Sequence, residues 1–457
     1  MNLISKYIFI YVFILGLAFT FLVPPLQKPD EHAHFIRSLL LSQGKLYLTE
    51  KDTSLLIEKK YRDFIHDPHL NSIPYRREMK FDPVWYAQAS SGSYEDAKQV
   101  KEQTWGQFMF PGSAYIPYAA GILFSTLLSQ SVYITFFIGR FTMFLFAFLV
   151  MIYLYRKNTP AYRPILLYVY ALPMFIHQIT GYNYDAMQYI AGLSLFTLLI
   201  NLFEKRRLTG HDLALLSVSF IVFLIMKMSF EPMMLLLFLI PAKNICAKAL
   251  CYIKKTGLVI LTILTGYMLA KLPFFLSATR YTYHPPGINP ARQMAYILNH
   301  PLRYLSTFID STIDLFAFHA QGIIGIFGWL DYSLPFWIYA VYGIAALVVL
   351  YVTIPLIDKR LTRKQIFLIF LSIFFSYFLT MTVFYLNWKP VGSSSIDGTQ
   401  GRYFIVFLPF VLYAVSHMLN IKYRIPKSPG ITGHVIFLVI LGFTLATIVN
   451  TIQMRYY

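Results

Sequence analysis

The chain has 457 residues, of which 57% are hydrophobic and only 13% charged, about half the charged share of an ordinary soluble globular protein. Apolar stretches recur from end to end, each close to the roughly 20 residues that cross a hydrocarbon core, which excludes both a soluble fold and a soluble domain on a single anchor. The formal net charge of +18 would suit nucleic acid in a soluble protein, but in a membrane protein a basic excess reports topology, because Lys and Arg are retained in cytoplasmic loops. No nucleic-acid partner is expected, and the lipid bilayer is the first partner.

The first apolar stretch, Tyr7 to Val23, ends in Leu22-Val23-Pro24-Pro25. That is not a small-residue cleavage site, so 7–24 reads as a retained transmembrane helix. Residues 26–113 come next as the one long polar segment, holding 12 of the 21 acidic and 12 of the 39 basic residues. Further spans are predicted over 132–155, 163–179, 185–203, 212–228, 231–242, 257–277, 334–357, 366–386, 402–420 and 433–451.

The short linkers near Arg156, Lys205, Lys254, Lys359 and Lys422 are basic. Placed in the cytosol, they put 26–113, 181–185, 227–232, 279–332 and 387–401 outside. The prediction is an all-α, multi-pass cell-membrane protein, a single integral membrane domain over 1–457 with about 11 to 13 transmembrane helices. Residues 26–113 form a first extracytoplasmic loop with juxtamembrane helices, and 279–332 a second. Stretches 114–130 and 304–328 are apolar enough to span, but parity assigns them to the interface or to re-entrant paths. Cys246 and Cys251, in a Lys-containing linker, are expected to form neither a disulfide nor a metal site.

Every distinctive polar cluster then lies on the outer side. Pro29 separates the first helix from a new one, with Asp30 as its natural N-cap and Glu31 in the first turn. His34, Arg37 and Ser38 come after, and the apolar Phe35, Ile36, Leu39, Leu40 and Leu41 would bed this helix on the bilayer interface. The acidic pair is either a helix cap or a functional group, since a carboxylate at headgroup depth can accept a proton from an acceptor hydroxyl. No metal site is assigned. Asp30 and Glu31 would be the ligands if a divalent cation (Mg or Mn) were required.

Lys227 and Glu231 flank a break before Pro232, where irregular backbone at membrane depth needs protein or water to satisfy it. Asp185, like them, is a charged group near a membrane boundary, where such groups are costly and often functional. Trp329 and Asp331, in Gly328-Trp329-Leu330-Asp331, would line the same external cavity. Gly398-Thr399-Gln400-Gly401-Arg402-Tyr403 opens a helix from outside. Glycines permit close approach, a helix start attracts anions and Arg402 offers a forked donor matching phosphate.

Pro29-Asp30-Glu31 with His34-Phe35, Lys227 in Lys-x-x-x-Glu-Pro, Gly328-Trp329-Leu330-Asp331 and Gly398-x-Gln400-Gly401-Arg402-Tyr403-Phe404 together resemble a bacterial family of predicted membrane proteins. That family is catalogued as a domain of unknown function (number 2142) and is similar in architecture to GT-C glycosyltransferases. The resemblance spans nearly the whole chain, and His32 departs from it where proline is expected. It implies a GT-C-like helical bundle that moves a sugar from a polyprenyl-phosphate donor to a cell-envelope glycan or related acceptor on the extracytoplasmic face. Asp30 is the favoured general base under it, with Glu31 the alternative. Arg402, Gln400, Lys227, His34, Arg37, Asp185, Trp329 and Asp331 are the expected substrate- and phosphate-binding residues. Direct attack by the activated hydroxyl would invert the anomeric centre. The competing readings are a transporter or flippase of lipid-linked sugars and a lipid-linked glycan polymerase or ligase.

Overall fold

The structure is a computed structural model that describes residues 3–46, 54–84, 98–103, 111–128, 131–245, 249–277, 287–419 and 431–457. Inside a bilayer the backbone must satisfy its own hydrogen bonds, so the apolar segments are helical. Among the described residues seven helices are long and apolar enough to cross: Leu3–Phe21, Val132–Lys157, Asp185–Glu204, Phe336–Leu356, Arg363–Trp388, Gly401–Met418 and Val435–Tyr456. The other predicted spans are shorter, broken or less apolar, and local chemistry explains the breaks.

The stretch 163–179 divides into Arg163–Ala171 and Pro173–Ile179 at Leu172, because the residue before a proline is pushed into extended backbone. Gly210–Met226 ends at Lys227, whose φ of −150° and ψ of 120° are extended. Beyond it the chain forms a 3-10 helix over Met228–Leu239 with Pro232 inside it. At about 2.0 Å per residue such a helix reaches further than an α-helix of equal length, so this segment covers more of the membrane than its residue count suggested. The span expected at 402–420 likewise starts as a 3-10 helix, Gly401–Phe407, and turns α over Leu408–Met418.

The two stretches of ambiguous parity are helices as well. Ile116–Leu128 has 13 residues, about 20 Å and short of a crossing, and pairs with Val132–Lys157. Pro301–Ile324 is amphipathic: Tyr304, Phe308, Ser311 and His319 face inward, while Leu302, Ile309, Ile313 and Phe316 are exposed.

Two short antiparallel strand pairs lie outside the helical prediction. Ser54–Glu58 pairs with Gln99–Gln103, and Ile326–Phe327 with Tyr332–Ser333, making Gly328 to Asp331 a hairpin tip. The helix Glu31–Ser42 also departs from expectation. Its Phe35, Ile36 and Leu40 are fully buried in protein and do not face lipid. The Phe35 ring meets Tyr61, Phe64, Phe136 and Tyr182 edge-on, because the helix Lys59–Ile65 returns over it.

The basic linkers gather at one end of the bundle. Asn201 bonds Thr159 and Lys157, Asn244 bonds Lys205, Gln365 bonds Leu239 and Arg360 bonds Leu419. In that region Cys251 is disulfide-bonded, contrary to the expected free thiol, and Cys246 lies outside the described residues. The polar clusters occupy the opposite end. In a protein whose native cysteines are replaced, a cysteine at exposed Asp63 is expected to react with a membrane-impermeant maleimide in intact cells. One at exposed Arg363 should react only after permeabilisation, and the reverse pattern would invert the topology.

Candidate functional site

The first helix runs out at Phe21, and its last carbonyls need donors that the membrane does not supply. Arg140, the ninth of the 26 residues of Val132–Lys157, provides them, with Nη1 donating to the Thr20 and Val23 carbonyls at 3.2 and 2.7 Å and Nη2 to that of Pro24 at 3.1 Å. The same guanidinium grips Glu31 with both arms, Nε to Oε1 at 2.8 Å and Nη2 to Oε2 at 2.6 Å. Neither side chain has any exposure. Glu31 Oε1 also accepts from the Tyr182 backbone N–H at 3.1 Å. Beside this pair Lys28 donates to the His177 carbonyl and the Thr180 hydroxyl at 2.7 and 2.9 Å. Burial and then the neighbouring Arg140 push the Lys28 ammonium well below its usual pKa. Gly181 is glycine because a Cβ there would collide with the Lys28 stem at Cδ. Sequence reasoning passed over Arg140, although an arginine in the middle of an apolar span is a signal in itself.

Asp30 behaves quite differently from Glu31. It holds a left-handed φ of 58°, and its side chain makes no capping hydrogen bond, contrary to the expected N-cap role. The backbone carbonyl of Asp30 takes the Ala33 and His34 amides instead. Its carboxylate is exposed and lies within electrostatic range of Arg402, Tyr403, His32 and Tyr75. The two carboxylates therefore do not converge. A cation shared between Asp30 and Glu31 does not fit, because both Glu31 oxygens are taken by Arg140.

Arg402 sits in the 3-10 turn behind Gln400. Gly401 lets that turn pack on Pro301–Ile324, where a Cβ would run into the His319 carbonyl. The Arg402 carbonyl accepts from Tyr189 at 2.7 Å, and Arg402 Nε lies 3.4 Å from Asp185 Oδ2. Lys227, released by the helix break, places its ammonium 3.8 Å from the centre of the Tyr403 ring, with the Arg402 guanidinium carbon 5.3 Å from the same ring. Buried here without hydrogen-bond partners among the described residues are Lys227 Nζ, Arg402 Nε, Asp185 Oδ1, Gln400 Oε1 and both amide atoms of Gln188. Native proteins satisfy almost all such atoms, so this concentration marks a polar site rather than a packed core.

The remaining predicted residues divide. His34 adjoins the cluster, its Nδ1 2.7 Å from Tyr115 Oη; burial, then Arg402, lower its pKa to about 3. Arg37 is committed to the Lys45 and Leu46 carbonyls, with its guanidinium carbon 5.9 Å from the centre of the Tyr115 ring. Asp331 is a latch, with Oδ2 accepting from Arg455 at 2.9 and 2.5 Å and its carbonyl from Arg77. Trp329 donates to the Leu26 carbonyl and, with His32 and Tyr75, lines a separate cavity of about 530 Å³. Glu231 accepts from Tyr267 at the rim of an apolar cavity of about 440 Å³ among Met234, Leu237, Phe238, Phe375 and Leu379.

Both the ion pair and the buried histidine have measurable effects on stability. Arg140→Met strands a buried carboxylate and should cost about 3–5 kcal/mol, measured by thermal unfolding in detergent. Adding Glu31→Gln should recover much of the loss, and equal melting of single and double variants would refute the pairing. His34 takes up a proton on unfolding between its folded pKa of about 3 and its usual value near 6.5, so stability should rise with pH through that window and fall on acidification. His34→Phe should flatten the slope over the same range.

The sequence model of one family, described as "Predicted membrane protein (DUF2142)", matches residues 13–411. No curated protein and no solved structure matches the chain.

Proposed function

The chain belongs to the DUF2142 family of predicted membrane proteins, and for it we propose a GT-C-like glycosyltransferase that moves a sugar from a polyprenyl-phosphate donor to a cell-envelope glycan or related acceptor at the extracytoplasmic face. The observation that carries this reading is the buried, under-satisfied cation cluster of Lys227 and Arg402 beside the exposed carboxylate of Asp30. Lys227 and Arg402 share one buried carboxylate, Asp185, while Asp30 stays exposed at the edge, and Arg402 supplies the forked geometry that phosphate accepts. The apolar cavity beginning at Glu231, four residues beyond Lys227, suits the hydrocarbon chain of the same molecule.

Chemically, the acceptor hydroxyl attacks the anomeric carbon as Asp30 takes its proton. The new oxygen–carbon bond forms while the bond to the phosphate oxygen breaks, and polyprenyl phosphate departs with its charge held by Arg402 and Lys227. A single displacement inverts the anomeric centre. Glu31 is assigned a positioning role, because accepting a proton would require it to leave Arg140. His34, neutral at physiological pH, orients the edge of the site through Tyr115.

A carrier of lipid-linked sugars is the second reading. It draws on the helix breaks at Leu172 and Lys227, since discontinuous helices often form transporter sites. Product analysis separates the two. Proteoliposomes given an undecaprenyl-phosphate sugar and envelope glycan should form a new glycosidic bond, and Asp30→Asn should slow it by about 10² to 10⁴. Arg402→Lys and Lys227→Met should weaken donor use. Full activity in Asp30→Asn would remove it as the base, and translocation without a new bond would favour the carrier.

A further inference from the structure

The cavity of about 530 Å³ beside Asp30 has a lining unlike that of the cation cluster. Its walls present aromatic faces: Tyr75, 69% exposed, lies with its ring centre 5.9 Å from that of Trp329, and His32 lies nearly parallel to Trp329, at 16°. Trp329 is fixed in place by its bond to the Leu26 carbonyl. Arg76, Asn71 and Glu102 share the lining with these rings. Glu102 is held by His66, whose Nε2 lies 3.1 and 3.0 Å from its two oxygens. Glu102 also lies 3.8 Å from Arg62 Nε, and with Asp30 in electrostatic range of His32 and Tyr75 two acids stand against two arginines, so the lining does not select for an anion. Flat apolar faces opposed to hydrogen-bonding groups match a pyranose ring, whose C–H face packs on an aromatic while its hydroxyls meet the polar groups. The size is ample for one or two sugar rings within the usual range of ligand pockets.

Position adds an independent argument. Among the described residues four non-glycine residues hold left-handed φ: Leu26 at 65°, Asp30 at 58°, Tyr75 at 63° and Leu330 at 67°. Tyr75 lines this cavity and packs on Trp329, Leu26 holds the Trp329 indole, Leu330 comes directly after it and Asp30 lies two residues before His32, so each of the four is, or adjoins, a residue of the lining. Such conformations are costly for residues other than glycine and cluster where side chains must be aimed.

We propose that this cavity is the acceptor subsite and binds an uncharged saccharide, whose attacking hydroxyl it delivers to Asp30. The proposal deepens the glycosyltransferase reading and rests on it for the role of the bound sugar, though not for the binding itself. The test uses the full chain in nanodiscs with a panel of methyl glycosides, comprising glucoside, galactoside, mannoside, N-acetylglucosaminide and arabinofuranoside, read by saturation-transfer NMR and tryptophan fluorescence. At least one should bind. Tyr75→Asn, which keeps a tolerated left-handed backbone, and Glu102→Gln should each weaken it by about tenfold, or roughly 1.4 kcal/mol. Undecaprenyl-phosphate binding, measured on the same samples, should not change. If no glycoside binds, or if both variants bind as well as the parent, the subsite assignment is overturned while phosphate binding still stands. If glycosides bind as expected but Arg402→Lys and Lys227→Met leave undecaprenyl-phosphate binding intact, the donor reading fails and the saccharide site survives.

Discussion

The arrangement of the polar end depends on the ion pair between Glu31 and Arg140. Two unexposed charges are expensive to remove from water, and their attraction compensates only with good geometry and full hydrogen bonding. Both conditions hold: the grip is bidentate, and the remaining guanidinium hydrogens reach three backbone carbonyls at the unwound end of the first helix. One side chain therefore joins the end of the first helix, the start of Glu31–Ser42 and the backbone at Tyr182. Asp30 and Asp185, each next to one of these joints, inherit fixed positions without spending their own carboxylates on the scaffold.

With the scaffold charges committed to one another, the remaining charges are sorted by environment. Lys227 and Arg402 are buried with atoms that the protein leaves unsatisfied, and they face an aromatic ring and one carboxylate. Asp30 stays in contact with water, and the Trp329 cavity beyond it is charge-balanced and aromatic. Asp30 is thus within electrostatic range of the cation cluster, through Arg402, and of the aromatic cavity, through His32 and Tyr75. That division suits a reaction between an anionic lipid and a polyol.

Much of this was legible in the sequence because membrane physics constrains it strongly. Apolar length and the placement of Lys and Arg located the helices and grouped Asp30, Asp185, Lys227 and Arg402 at one end. The helix break at Lys227 and the close-packed Gly401 were also readable from local chemistry. The pairing of Glu31 with Arg140 was not, since a contact across 109 positions leaves no local periodicity, and the lone arginine of 132–155 drew no attention among its apolar neighbours. The burial of Phe35 and Ile36 was misassigned to lipid for a related reason. An amphipathic helix shows the same pattern whether its apolar face meets acyl chains or a returning segment of protein. Charge type alone does not reveal that Arg37 meets two backbone carbonyls and Asp331 meets Arg455.

The four left-handed residues at or next to the aromatic cavity's lining have a practical side. Glycine adopts that backbone without steric penalty, so Leu26, Asp30, Tyr75 and Leu330 are positions where the chain forgoes easy stability for the sake of a side chain. Screens for heat tolerance favour changes that relieve strain of this kind, often at the expense of activity. A library of this protein ranked by melting temperature would therefore enrich glycine or asparagine at Asp30 and Tyr75, and its most robust members would be those least able to carry out the proposed transfer.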